Sequence, residues 1–153
     1  MSSSSPATRN ATLPVTFRPT RTRVILLTMG VAMFAVVAFV GLTLERLNTG
    51  ERISFVFTGL LFLGVLLLLS RPKVVADDRG VTITNITGVR RLEWAEIVRV
   101  NLRPGDPWVF LDLSDGTSLP VLGIQPGVAR EQAITDARAL RALVDERAGH
   151  SAS

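Results

Sequence analysis

Hydrophobic and polar positions fall into three patterns along the chain. The first is unbroken. Residues 24–44, VILLTMGVAMFAVVAFVGLTL, carry no charge over 21 positions, and residues 53–70, ISFVFTGLLFLGVLLLLS, carry none over 18. At 1.5 Å rise per residue these runs reach about 31 Å and about 27 Å, close to one hydrocarbon thickness. A helix apolar on every side is either buried or lipid-facing. A chain of 153 residues has no domain large enough to bury two of them, so the pattern predicts two transmembrane helices. A cleaved signal peptide competes for the first run, but that run exceeds the ~7–15-residue apolar region of such a peptide, and a second follows at once. The link ERLNTGER has room only for a tight turn with Asn48-Thr49-Gly50 at its tip. The helices are therefore predicted as antiparallel neighbours, with Gly30, Ala32, Ala35, Ala38 and Gly41 small enough to permit close packing.

The second pattern has period two. Pro72 ends the second helix, and KVVADD, GVTITNI, VRRLEW, EIVRVNLR, WVFLDLS and TSLPVL follow as six short strands separated by turn residues. Register can be read from the core face. If Arg103 opposes Trp108, then Leu102 faces Val109, Val100 faces Leu111 and Val98 faces Leu113, while Asn101–Phe110 and Arg99–Asp112 lie outward. At the next turn, a two-residue Asp115-Gly116 loop would turn Ser118 and Pro120 inward. A three-residue loop, Ser114 to Gly116 with the glycine left-handed, puts Leu119 and Val121 inward and is preferred. Trp94 and Leu92 are expected to fill the core.

The third pattern has helical period. In residues 128–147, Ala133, Ile134, Ala137, Leu140 and Val144 share one face and charges fill the rest, which predicts an amphipathic helix of about five turns packed on the sheet. The expected layout is a disordered cytoplasmic tail over 1–23, a transmembrane hairpin over 24–70, a β-domain over 71–147 and a second disordered tail over 148–153. In class terms this is a membrane α-helical hairpin followed by a small α+β domain, with its strands in a sandwich or a partly open antiparallel β-barrel and a C-terminal amphipathic helix.

Charge changes this picture only by giving it direction. The formal charge of +4 would suit a nucleic-acid binder. However, the whole excess lies in Arg9, Arg18, Arg21 and Arg23, whereas residues from 71 onward hold eleven basic and eleven acidic side chains. Such a distribution is a topology signal. With Arg71 and Lys73 after the second run, it sets both termini in the cytoplasm and the hairpin in the plasma membrane. No nucleic-acid partner is expected. Two glycosylation-type triplets, at Asn10 and Asn85, are read as chance.

Chemistry is sparse. There is no cysteine and no tyrosine, and the one histidine, His150, stands in the C-terminal tail. Asp112, Ser114 and Asp115 cluster, but a turn accounts for Asp115 and pairing with Arg99 for Asp112. Adjacent Asp77 and Asp78 alternate faces and rarely chelate together. The chain lacks a glycine-rich phosphate loop. It is read as non-enzymatic, with no catalytic, cofactor or metal residue.

The stretches ADDRGVTITN, RRLEWAEIVRVNLRPGDPWVFLDLSDGT and GIQPGVAREQA, with Trp94 and Ile97 forming a W-x-x-I element, resemble pleckstrin-homology (PH) domains. They are similar to the actinobacterial PH-domain membrane proteins of the low-molecular-weight protein antigen 6 family. That resemblance spans about residues 73–147 and implies a PH-like fold at a membrane; it brings no activity. Phosphoinositide-binding PH domains place several Lys/Arg around the loop joining their first two strands. Here that loop reads ADDRG, whose acids would repel an anionic headgroup.

Two binding readings remain. The first is a tethered interaction or assembly module, since tethering raises local concentration. Its surface would be Trp108, Phe110 and Leu122 edged by Arg99 and Arg103, and its partner an unidentified membrane or cytoplasmic protein. The second is weak attraction to anionic lipid through Arg71, Lys73, Arg90 and Arg91, orienting the domain at the inner leaflet. Homo-oligomerisation is open to either reading; bacterial PH-like domains can form rings, but no residue here demands one.

Overall fold

A computed structural model describes residues 12–127 and 129–151. It begins with a strand inside the predicted tail, β1 (Val15–Phe17). Two long helices follow, α1 (Thr20–Thr43) and α2 (Thr49–Leu69). Six more strands come next: β2 (Lys73–Ala76), β3 (Gly80–Thr84), β4 (Val89–Glu93), β5 (Ile97–Asn101), β6 (Val109–Leu113) and β7 (Ser118–Val121). The last element is α3 (Arg130–Ser151). The reading of residues 1–23 as a disordered tail is corrected from Thr12 onward; the rest of it, like the Val128 start of the final helix, lies outside the described residues. The reading of residues 148–153 as a tail is corrected as far as Ser151, because Ala148-Gly149-His150 contains no proline to break the helical ladder.

The helical hairpin is shaped by its ends and by its small residues. Arg18-Pro19 closes β1, since a residue before proline avoids the helical region and proline itself suits a helix start. At the far end the turn is shorter than expected. Asn48 caps α2: its side-chain oxygen accepts the Glu51 N–H at 2.9 Å, and the Glu51 carboxylate accepts the Asn48 N–H at 2.8 Å. This reciprocal cap pulls Thr49 and Gly50 out of the turn and into the helix. Gly30, Gly41 and Gly59 are buried where α1 meets α2, with Gly41 against Phe55 and Gly59 against Phe34. Large side chains on the outer surfaces stay uncovered, including Phe39 at 67% and Phe57 at 65% exposure. Both helices are long and apolar enough to cross a membrane.

The strands form two antiparallel sheets, β1-β2-β3-β4 and β5-β6-β7, which do not close into a barrel. One core lies between them, built from Val74, Ala76, Val81, Ile83, Leu92, Val100, Val109, Leu111 and Val121, with Phe17 contributed by β1. Trp94 sits in a 3-10 turn that hands the chain from β4 to β5 and is part of the core, as expected, with its indole N–H donating to the Asp77 carbonyl at 3.0 Å. Ala133, Ala137, Leu140, Leu143 and Val144 of α3 join the same core; Leu143 is an addition to the predicted face, and Ile134 is only half-buried. Asn85 fastens the sheets together, its amide donating to the Pro120 carbonyl at 2.8 Å and accepting from the Leu122 N–H at 3.1 Å.

Within the paired strands, register at both local hairpins is as predicted except at one position, and Leu102, Arg103 and Trp108 lie outside the strands. Val100 pairs Leu111, Asn101 pairs Phe110, and Leu111 pairs Leu119. Gly116 adopts φ +83°, as the three-residue turn requires. The exception is Val98. A bulge between Ile97 and Arg99 brings Ile97 opposite Leu113, leaving Ile97 at 4% exposure and Val98 at 63%. An extra residue in one strand reverses the facing of everything before it, and Ile97 is the larger apolar group to bury.

Candidate functional site

Strand β1 changes which loop is the first. In this fold β1 and β2 are neighbours, with Val15 paired to Ala76 and Phe17 to Val74. The connection between them is the entire helical hairpin. The segment ADDRG instead joins β2 to β3, so the expectation that its acids guard the first loop is corrected. Those acids are also neutralised. Asp77 pairs with Arg91 at 3.0 Å and Asp78 with Arg147 at 3.0 Å. The Asp77 carboxyl is held below the usual range first by the Arg79 N–H, then by the Gly80 N–H and the charges of Arg91 and Arg79.

Where the hairpin meets the sheet there is an open cleft of ≈ 760 Å³. Arg18 and Arg23 reach it from the β1–α1 side, Arg71 and Lys73 from the α2–β2 side, and Thr84 and Thr87 from the far end of β3. Among the described residues no carboxylate lines it. Like charges gathered in one place repel, and an anion relieves that repulsion. Guanidinium groups match phosphate oxygens with paired hydrogen bonds, while lysine acts as a point charge. The arrangement is suited to holding a phosphate-bearing group at the mouth of two apolar helices.

Of the four predicted lipid-proximal cations, Arg71 and Lys73 are in this cleft and Arg90 and Arg91 are not. Arg91 is engaged by Asp77. Arg90 lies near the β6–β7 turn, where Asp115 is held below the usual carboxylate range by the Thr117 hydroxyl and N–H, with Arg90 adding to the effect. In the sequence alone Arg18 and Arg23 stand out only as topology markers. The signal for their role was the β-branched run Val15-Thr16, which the sequence read as tail.

The predicted interaction surface is assembled differently. Trp108 and Phe110 are half-buried against each other, ring centroids 6.4 Å apart and tilted by 51°. Leu122 is half-buried beside the Asn85 clamp, and Arg99 and Arg103 are exposed. Asp112 lies opposite Arg99 in register, yet its carboxylate accepts from Asn101 and from the Ser118 hydroxyl; the expected Arg99–Asp112 pairing is replaced by these two shorter-reach partners.

Two sheets of four and three antiparallel strands, packed on one core with a C-terminal helix, define a PH-like domain. Comparison with known proteins agrees: residues 71–143 match the family profile described as bacterial PH domain. The chain is also similar to an uncharacterized protein of Mycobacterium bovis and to uncharacterized proteins of two Mycobacterium tuberculosis strains, each 29% identical over 97 residues. Those alignments cover 63% of this chain and 62% of each relative, so the chain spans less than two thirds of the relatives' length. No solved structure matches it.

Proposed function

We propose that the hairpin crosses the plasma membrane with both chain ends cytoplasmic, and that the PH-like domain is a non-catalytic module gripping an anionic lipid headgroup in the cleft at the hairpin's base. The observation that carries this reading is the convergence of Arg18, Arg23, Arg71 and Lys73 on one cleft with no carboxylate among the described residues lining it. The uncovered apolar flanks of α1 and α2 support the bilayer as their surroundings. Arginines before α1 and cations after α2 support a cytoplasmic domain. The finer kinship with the low-molecular-weight protein antigen 6 proteins belongs to the same proposal, supported by the joining of a hairpin to a PH-like domain.

The test uses the full chain in nanodiscs that mix phosphatidylcholine with phosphatidylglycerol, followed by lipid extraction from the purified particle. Wild type is expected to retain phosphatidylglycerol. An Arg71→Ala/Lys73→Ala variant, losing two cations at about 1 kcal/mol each, is expected to retain it about thirtyfold less tightly. Equal retention by both proteins would overturn the reading.

A further inference from the structure

A second site lies away from the headgroup cleft, between α3 and the loop joining β5 to β6. It is a groove of ≈ 260 Å³. Its apolar lining comes from Leu102, Pro104, Pro126, Ile134 and Ala137. Four arginines also line it, Arg103, Arg130, Arg138 and Arg141, against a single acid among the described residues, Asp106. That acid is occupied locally, accepting the Arg103 N–H at 2.9 Å as the loop turns through Gly105 at φ +95°.

The imbalance is specific to this place. From residue 71 onward the chain is electrically neutral, yet here cations outnumber acids four to one. The ion pairs found among the described residues, Arg91–Asp77 and Arg147–Asp78, engage none of the four. Arg141 is anchored by donating to the Val100 carbonyl, which ties the α3 side of the groove to β5. Arg103, Arg130 and Arg138 are exposed. Spacing on α3 explains the layout: residues 130, 134, 137, 138 and 141 fall along one side of a 3.6-residue helix, so apolar Ile134 and Ala137 are bracketed by guanidiniums.

Size and lining choose the ligand class. The groove is below the ~300–1,000 Å³ usual for small-molecule pockets and takes about one side chain with its flanking backbone. A bare phosphate would leave Leu102, Ile134 and the prolines unused, and among the described residues no aromatic ring lines the groove to stack a base. An apolar side chain between carboxylates uses both features. Position narrows the source. Arg130 also borders a cavity shared with Arg21, in the first turn of α1, so one end of the groove opens beside the mouth of the hairpin.

We infer that this groove binds a short acidic peptide segment, an apolar residue flanked by Asp or Glu, presented by a partner protein close to the bilayer. Its membrane-proximal part rests on the hairpin being a membrane hairpin; the peptide chemistry does not.

The experiment selects a phage-displayed library of randomised nine-residue peptides on the full chain in phosphatidylcholine nanodiscs, then measures the enriched peptides by fluorescence polarisation. Acidic peptides with one or two central apolar residues are expected. Affinity should fall about tenfold or more in Arg130→Ser/Arg138→Ser, an exposed pair whose loss leaves Trp94 emission unchanged, and similarly in Ile134→Ser. Phosphatidylglycerol retention should be unaffected in all of these. Enrichment of neutral or basic peptides, no enrichment at all, or full affinity in the arginine variant would each overturn the inference. So would displacement of bound peptide by inorganic phosphate at low millimolar concentration, which would make the groove a phosphate site. Loss of phosphatidylglycerol retention in Arg71→Ala/Lys73→Ala with peptide binding intact would separate this site from the headgroup cleft.

Discussion

The two sheets of the PH-like domain are built alike and encoded differently. In β5-β6-β7 every strand is joined to its neighbour by a short local turn, and the whole sheet lies within residues 97–121. In β1-β2-β3-β4 the first two strands pair across the entire helical hairpin. A local sheet closes its loops at little entropic cost, whereas a distant pairing closes a long loop first. Here the helices shorten that loop in space, because antiparallel α1 and α2 return the chain to its starting point. The hairpin thus doubles as the connection that makes β1 possible.

The comparison breaks most decisively at Phe17. If β1 is a true member of the core, Phe17→Ala in the full chain should destabilise the domain by about 3–4 kcal/mol, as large a loss as Leu111→Ala in the local sheet. Denaturant melts in detergent micelles followed by tryptophan emission would measure both, and a near-zero effect at Phe17 with a large one at Leu111 would show that the local sheet stands without β1. Gly80→Ala should cost about 2–3 kcal/mol, because an added Cβ would come within 2.0 Å of the Leu92 carbonyl oxygen on β4. The same melts apply; a silent substitution would mean that β3 and β4 are not paired as described.

The two sheets also differ in what the sequence could and could not reveal. The β5–β7 register was legible because Val100, Leu111 and Leu119 sort to one face only in that alignment. The Ile97–Arg99 bulge was not, since choosing between Val98 and Ile97 as the inward residue depends on the preceding 3-10 turn. Strand β1 was hidden for a different reason. Three residues bounded by prolines have no periodicity of their own, and their partner lies beyond the helices. The cleft at the hairpin's base was half-legible in consequence: Arg71 and Lys73 were visible beside the second helix, but Arg18 and Arg23 join them only once β1 is in place. The α3 groove was not legible from helical spacing, because its other wall is a loop.

Smaller effects sharpen the picture. Gly116→Ala forces a Cβ into a left-handed turn and should cost about 1 kcal/mol, confined to the local sheet and leaving β1 pairing intact by amide exchange. Loss of protection in β1 as well would mean that the sheets unfold as a single unit. The smallest change expected is a gain. Asp136 on α3 borders a cavity with Thr16, Phe17 and Arg18, and burial raises its carboxyl above the usual range. A raised carboxyl costs stability where it is charged in the fold, so that cost is present at neutral pH and vanishes as pH falls toward the ordinary carboxylate value. Asp136→Asn should therefore melt a degree or two higher than wild type at about pH 7, with the difference closing in acid. Thermal melts at both pH values would check it; an advantage independent of pH would point away from the carboxyl.

The junctions between helices and sheet are short. Only Arg18-Pro19 separates β1 from α1, and only Ser70-Arg71-Pro72 separates α2 from β2. A domain hung from one strap can spin; one hung from two adjacent straps, each stiffened by proline, keeps the same edge toward its support. With the hairpin in a bilayer, as proposed, every molecule would hold its α3 groove at a fixed height and heading, so that the proposed partner drifting in the same plane would meet it already aimed.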